Sequence, residues 1–151
     1  MEKKRTLSVV FVILSIIIFI ASLLLNFIEF QNSSSASVRS VIITFLYVTV
    51  WVLILVSGII SKNSGAVIFC SVFWFITFVS STTVVYSNMV HTLGRWDQFI
   101  FPFMLLFIGQ WHGLRFFVHR NMTYFILISI ISLVMLAVAV IWLIYNKNKA
   151  E

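Results

Sequence analysis

Six side chains in this otherwise apolar sequence are of a type and placement to bind or react: Glu29, Arg95, Asp97, His112, Arg115 and His119. Five of them fall in the stretch 91–120, HTLGRWDQFIFPFMLLFIGQWHGLRFFVHR, with His91, Arg120 and the sole proline, Pro102. If 99–120 is helical, His112, Arg115 and His119 stand at i, i+3 and i+7 and share a face. Such a cationic strip suits a phosphate or carboxylate, an anionic lipid headgroup above all. The plainer reading is the wet side of an amphipathic helix lying at a membrane surface. Two histidines seven residues apart are about 10 Å apart along a helix axis, too far to share one ion. With no Cys/His ligand spacing either, no metal or other cofactor is expected.

Glu29 belongs to a different pattern. Ser8, Ser15, Ser22 and Glu29 recur every seven residues along the first apolar run, and Asn26 extends the series. Small residues at that spacing make a seam along which a neighbouring helix packs closely. A carboxylate at the end of such a seam turns toward the bundle, where it is stable only if paired, hydrogen-bonded or protonated. Arg95 and Arg115 are the expected partners. Arg39, nearer in sequence, is expected to open the next helix from a wet loop.

The elements that must position these groups follow from composition. Hydrophobic residues make up 62% of the chain and charged residues 9%. That exceeds the roughly half-apolar content of a soluble domain, so lipid must serve as solvent for much of it. The fold class expected is all-α: a polytopic membrane bundle forming one integral domain over 1–151. Four full crossings are expected at about 7–28, 41–60, 66–86 and 124–145, each near the roughly 20 residues a bilayer needs. The segment 99–117 is a membrane-embedded or interfacial piece that could form a fifth crossing. Its central Arg costs about 2.5–3.5 kcal/mol to insert, against a few tenths gained per apolar residue. Pro102 can kink it.

Connectors are short. The basic start MEKKR precedes an apolar run too long for a signal peptide, so 7–28 reads as an uncleaved first helix. FQNSSSASVRS (30–40) reads as a flexible loop, and SKNSG (61–65) as a tight turn joining two antiparallel helices. Thr77, Ser80, Ser81, Thr82 and Thr83 can bond back to carbonyls of their own helix and need no ligand. Cys70 has no cysteine partner and reads as a small buried hydrophobe.

The net charge of +6 does not imply nucleic acid, because the cations flank apolar runs. Four crossings place Lys3, Lys4, Arg5, Lys62, Lys147 and Lys149 on one side, and Arg39, Arg95, Arg115 and Arg120 on the other. The positive-inside rule then puts both termini in the cytosol. The membrane would be the plasma membrane of a prokaryote or the endoplasmic reticulum of a eukaryote. In the second case the sequons at Asn32 and Asn121 and the lysine-bearing tail KNKAE acquire meaning.

No phosphate loop, paired carboxylates or nucleophile elbow is present, and no catalytic residue or enzyme activity is expected. The expectation is a small helper, immunity, regulatory or assembly subunit that packs its helices against a membrane-protein partner or a second copy, with the lipid bilayer around it. A transporter or channel component with a polar path through Glu29 and 91–120 is the alternative. An intramembrane lipid-modifying enzyme with a histidine base is more remote.

Overall fold

An apolar segment in a bilayer has no water to bond its amides, so it must satisfy them within one helix. The computed structural model describes residues 2–32, 35–90, 102–103, 105–118 and 120–148, and its long apolar runs take that form. Helix α1 is Glu2–Gln31, α2 Val38–Ile60, α3 Ser64–Val90 and α4 Asn121–Asn148. Four helical stretches are long and apolar enough to cross a membrane: Val10–Gln31, Val38–Ile60, Ser64–Met89 and Met122–Asn148. They point to a membrane location, and the helices run several residues beyond the apolar cores expected at 7–28, 41–60, 66–86 and 124–145.

The hairpin between α2 and α3 shows how local chemistry sets the ends. Amide groups of Ser61, Lys62 and Asn63 donate to Ser57, Ile59 and Gly58 carbonyls at 2.9–3.1 Å, closing α2. Lys62 takes a left-handed backbone, φ 51°, to reverse the chain. Asn63 then accepts from the Ala66 amide at 3.3 Å and caps α3. A Cβ on Gly58 would lie 3.1 Å from Val67 and 3.2 Å from Ala66, so glycine lets the two helices start close together.

Helix α1 packs on α2, α2 on α3, and α3 most extensively on α4, whereas α1 makes no extensive contact with α4. The core joins α2, α3, residues 108–111 and α4, around Tyr47, Trp51, Phe73, Trp74, Trp111 and Tyr124. Of the expected seam, Ser15, Ser22 and Asn26 are buried and both serines donate to carbonyls of their own helix, while the Ser8 side chain lies outside the described ones. The hydroxyl run follows the same logic. Thr77, Ser81 and Thr83 donate to Phe73, Phe78 and Val79 carbonyls, and Ser129 of α4 reaches Ser81 at 2.8 Å. Cys70 is buried and free.

The segment expected at 99–117 does not cross in the described residues. Gly109–Phe116 is a 3₁₀ helix whose first five residues are buried. At about 2 Å per residue, eight residues span about half of a 30 Å hydrocarbon layer. Its contacts fix its place: Asn26 near the end of α1, Thr44 near the start of α2 and Tyr124 near the start of α4. The segment therefore enters and occupies one end of the bundle. Trp111 reaches Tyr47, which stands nine residues into α2, about 14 Å at 1.5 Å per residue. Among the described residues, Gly109, Gln110, His112, Gly113 and Arg115 leave no apolar helix beyond Ile108 in this segment.

A buried re-entrant segment as candidate functional site

Irregular backbone at membrane depth is tolerated only where protein covers and bonds it. The Ile108 and Gln110 carbonyls and the Gly113 amide meet that demand. The Gln110 carbonyl accepts from Asn26 Nδ2 at 3.1 Å and from the Thr44 hydroxyl at 2.8 Å. The Gly113 amide donates to Thr44 Oγ1 at 3.0 Å, and the Tyr124 hydroxyl donates to the Ile108 carbonyl at 3.2 Å. The Gln110 side chain turns back onto the Leu106 carbonyl. Gly113 lies against the backbone of α2, where a Cβ would overlap the Ser40 carbonyl and sit 2.7 Å from Thr44 Oγ1. Gly113 thus marks a close backbone approach to α2.

Glu29 anchors the neighbouring corner. Its carboxylate accepts from the Ser37 amide at 3.1 Å, the Ser37 hydroxyl at 2.8 Å and the Ser40 hydroxyl at 2.6 Å. These groups begin α2, where Ser37 is the cap, so the carboxylate also faces the positive end of that helix. Arg39 pairs with it at 3.2 Å. Arg39, expected to stay in a wet loop, is thus a partner of Glu29 among the described residues. The first turn of α2 folds back over the end of α1, so Arg39 bonds the Leu25 carbonyl and Glu29 together. Arg95, with Asp97, His119 and His91, lies outside the described residues. Arg115 sits with its guanidinium carbon 5.7 Å from the centre of the Tyr124 ring.

Because Arg39 is 59% exposed, Glu29 and Arg39 should couple by no more than about 0–1 kcal/mol in a double-mutant cycle. Glu29→Gln combined with Ser40→Ala should couple more strongly, since that hydroxyl is buried and bonded to a charge. Equal coupling for the two pairs, read from thermal unfolding in detergent, would remove Glu29 from its role as the anchor of α2.

His112 is the other correction. A wet polar face was the plainer expectation, yet its side chain is fully buried, edge-on to Phe30 with ring centres 6.1 Å apart. Its Nε2 lies 4.0 Å from Glu29 Oε2. Burial first, and Arg115 second, push its pKa below the ordinary 6.5, while Glu29 pulls the other way. Burial thus favours the neutral imidazole, and at 4.0 Å the contact with Glu29 is longer than a hydrogen bond. A depressed histidine pKa gives stability that is complete above the unfolded value and is lost as pH falls from there toward the folded value. Acidification below about 6.5 should thus destabilise the protein by at most about 1.4 kcal/mol per pH unit through this group. His112→Gln should flatten that part of the profile; an unchanged profile would assign the acid sensitivity to other groups.

The geometry brings together Glu29 and His112, places Arg115 one 3₁₀ turn further on, and adds three groups not foreseen as site residues. Thr44 is a polar residue in an apolar run, Gln110 lies off the helical face of His112, and Tyr124 stands where an apolar run begins. Their one sequence signal is a hydrogen-bonding group inside an otherwise apolar helix, beside a segment that inserts poorly.

Fold and site define an all-α bundle with four membrane-length helices and a buried re-entrant segment. Compared with protein families, curated proteins and solved structures, the chain matches none.

Proposed function

We propose that this chain is a small non-enzymatic membrane helper, of the immunity, regulatory or assembly kind, that works by packing its outer helices against a membrane-protein partner or a second copy. The observation that supports the reading is where the polar groups are engaged. Asn26, Thr44 and Tyr124 bond the re-entrant backbone, and Glu29 bonds the start of α2. Glu29 thus holds the fold, whereas His112 is enclosed with neither ring nitrogen hydrogen-bonded among the described residues. What faces outward is apolar helix: Ile13, Ile17, Leu24 and Ile28 on α1, and Val134, Val138 and Ile141 on α4.

A polar path gains little support, since Tyr47, Trp51, Phe73 and Trp74 fill the space between α2 and α3. The arrangement of Ser40, Glu29 and His112 also differs from a hydrolytic triad, in which histidine bridges serine and carboxylate; here the carboxylate is the bridge. In the proposed setting both termini lie in the cytosol, and the bilayer is that of the plasma membrane in a prokaryote or of the endoplasmic reticulum in a eukaryote. Arg39, Arg115 and Arg120 then lie on the far side, where an anionic headgroup would meet them. A topology reporter fused after Glu151 reads the orientation.

The partner is tested by placing a photocrosslinking residue at Leu24 or Ile141 and irradiating native membranes. A discrete protein adduct from one helix face, absent when the crosslinker stands at buried Ala139, is the expected result. Adducts with lipid alone from both outer helices would defeat the proposal.

A further inference from the structure

The imidazole of His112 is enclosed but unbonded. Its side chain is fully buried, and neither ring nitrogen has a hydrogen-bond partner among the described residues. Glu29 Oε2 lies 4.0 Å from Nε2, which is about 1.2 Å beyond the roughly 2.8 Å of a charge-assisted hydrogen bond. Occupancy keeps the two groups apart. A carboxylate oxygen has two lone pairs, and Oε2 already accepts from the Ser37 amide at 3.1 Å and the Ser40 hydroxyl at 2.6 Å. Oε1 likewise accepts from the Ser37 hydroxyl at 2.8 Å and from Arg39 at 3.2 Å. A bond from His112 therefore has to displace a donor.

A neutral imidazole tolerates this arrangement. An imidazolium does not, because a buried charge must be paired. Proton uptake puts an N–H on both ring nitrogens. Glu29 faces the ring from α1, and Arg39 of α2 lies across the same carboxylate. Arg115 follows on the ring's own segment, with Tyr124 of α4 against it. Among these groups Glu29 is the one carboxylate, so it is what the imidazolium must reach. Burial and Arg115 oppose the proton, so acid is needed to charge the ring. The Glu29 side chain is 17% exposed and gives the proton a route from water. Of the two donors on Oε2, the Ser40 hydroxyl can rotate to a carbonyl of its own helix, whereas the backbone fixes the Ser37 amide.

We propose that His112 and Glu29 form a proton-operated latch. Proton uptake by His112 brings the imidazolium onto Glu29 Oε2 and displaces the Ser40 hydroxyl. The hold of the carboxylate thereby passes in part from the start of α2 to the re-entrant segment. Ser40 is also the residue whose carbonyl lies against Gly113, so the exchange takes place where the segment meets α2. In acid the start of α2 loosens while the segment stays seated, a local change that precedes loss of the fold. The cost of the displaced bond keeps the proton affinity below that of a free imidazole, in line with the acid sensitivity described above. The latch goes beyond the helper function and does not rest on it.

The full chain in lipid nanodiscs provides the test, with nitrogen-labelled histidine and His112 assigned by the resonance that His112→Gln removes. Ser40→Ala takes away the competing donor, so the His112 titration midpoint should rise by about one pH unit, about tenfold in proton affinity. Glu29→Gln takes away the charge that receives the imidazolium and should lower the midpoint. Hydrogen exchange in the first turn of α2, corrected for the intrinsic effect of pH, should quicken about tenfold as the wild type crosses its midpoint. In His112→Gln it should stay level. A midpoint that Ser40→Ala leaves unchanged or lowers overturns the latch. So does a start of α2 whose exchange changes only together with that of the whole protein. The wild type and Ser40→Ala keep every charge, so these two suffice even where Glu29→Gln does not fold.

Discussion

Replacing Gly113 with alanine is expected to expel the re-entrant segment and to lower the stability of the fold by about 3 kcal/mol, the upper part of the range for overpacking. The new methyl would coincide with the Ser40 carbonyl and press on Thr44 Oγ1. Neither can yield easily. Ser40 lies in the first turn of α2, whose start Glu29 holds, and Thr44 is bonded on both sides. Gly113 has no positive φ, so the effect is one of space rather than of backbone conformation. Gly109 supplies the control. A Cβ there meets only the Phe30 ring at 3.7 Å, ordinary contact, and Gly109→Ala should be nearly neutral. Equal melting temperatures for the two variants in detergent would mean that the segment is not seated against α2.

Thr44→Val is expected to produce the second large loss, about 2–3 kcal/mol, with Thr44→Ser retaining most of the stability. Valine keeps the shape but removes the hydroxyl that accepts from Gly113 and donates to Gln110. The Gln110 carbonyl keeps Asn26, but the Gly113 amide is left buried with no acceptor. The magnitude decides between two roles. Interhelical side-chain hydrogen bonds in membrane proteins average about 0.6 kcal/mol, because the separated helices find other partners. A loss of that size would make Thr44 an ordinary contact; a several-fold larger one would mark it as part of the segment's backbone support.

The helices were readable because a bilayer leaves the chain few choices: an apolar run of sufficient length becomes a helix, and Lys62 in a five-residue link makes a hairpin. The seam was readable for a similar reason, since Ser15 and Ser22 serve close packing wherever they meet a neighbour. The re-entrant segment was only half readable. Hydropathy identified a stretch that inserts poorly, but its α-helical spacing grouped His112 with Arg115 and set Gln110 aside. The chain instead winds as a 3₁₀ helix, and burial takes in Gln110, Trp111 and His112 together. The Arg39 contact with Glu29 was not foreseen because ranking arginines by topology overlooked the local geometry of a corner, where the first turn of α2 lies over the last turn of α1. Thr44 was missed since its role depends on a backbone carbonyl 66 residues away, which no local pattern records.

That separation also dictates an order of assembly. The groups that receive the Gln110 carbonyl stand on α1 and α2, 84 and 66 residues earlier, so the ribosome completes the socket long before it makes the plug. Through that interval Asn26 and Thr44 form a polar notch in a nascent hairpin, and α4 fastens the plug last, when Tyr124 meets the Ile108 carbonyl. Biogenesis is therefore expected to pass through a state in which that notch is open. Chains arrested before Asn121 should carry that notch open and lose α1 to protease sooner than chains arrested after Asn148. Equal protease resistance of the two would show that the first hairpin is complete without its plug.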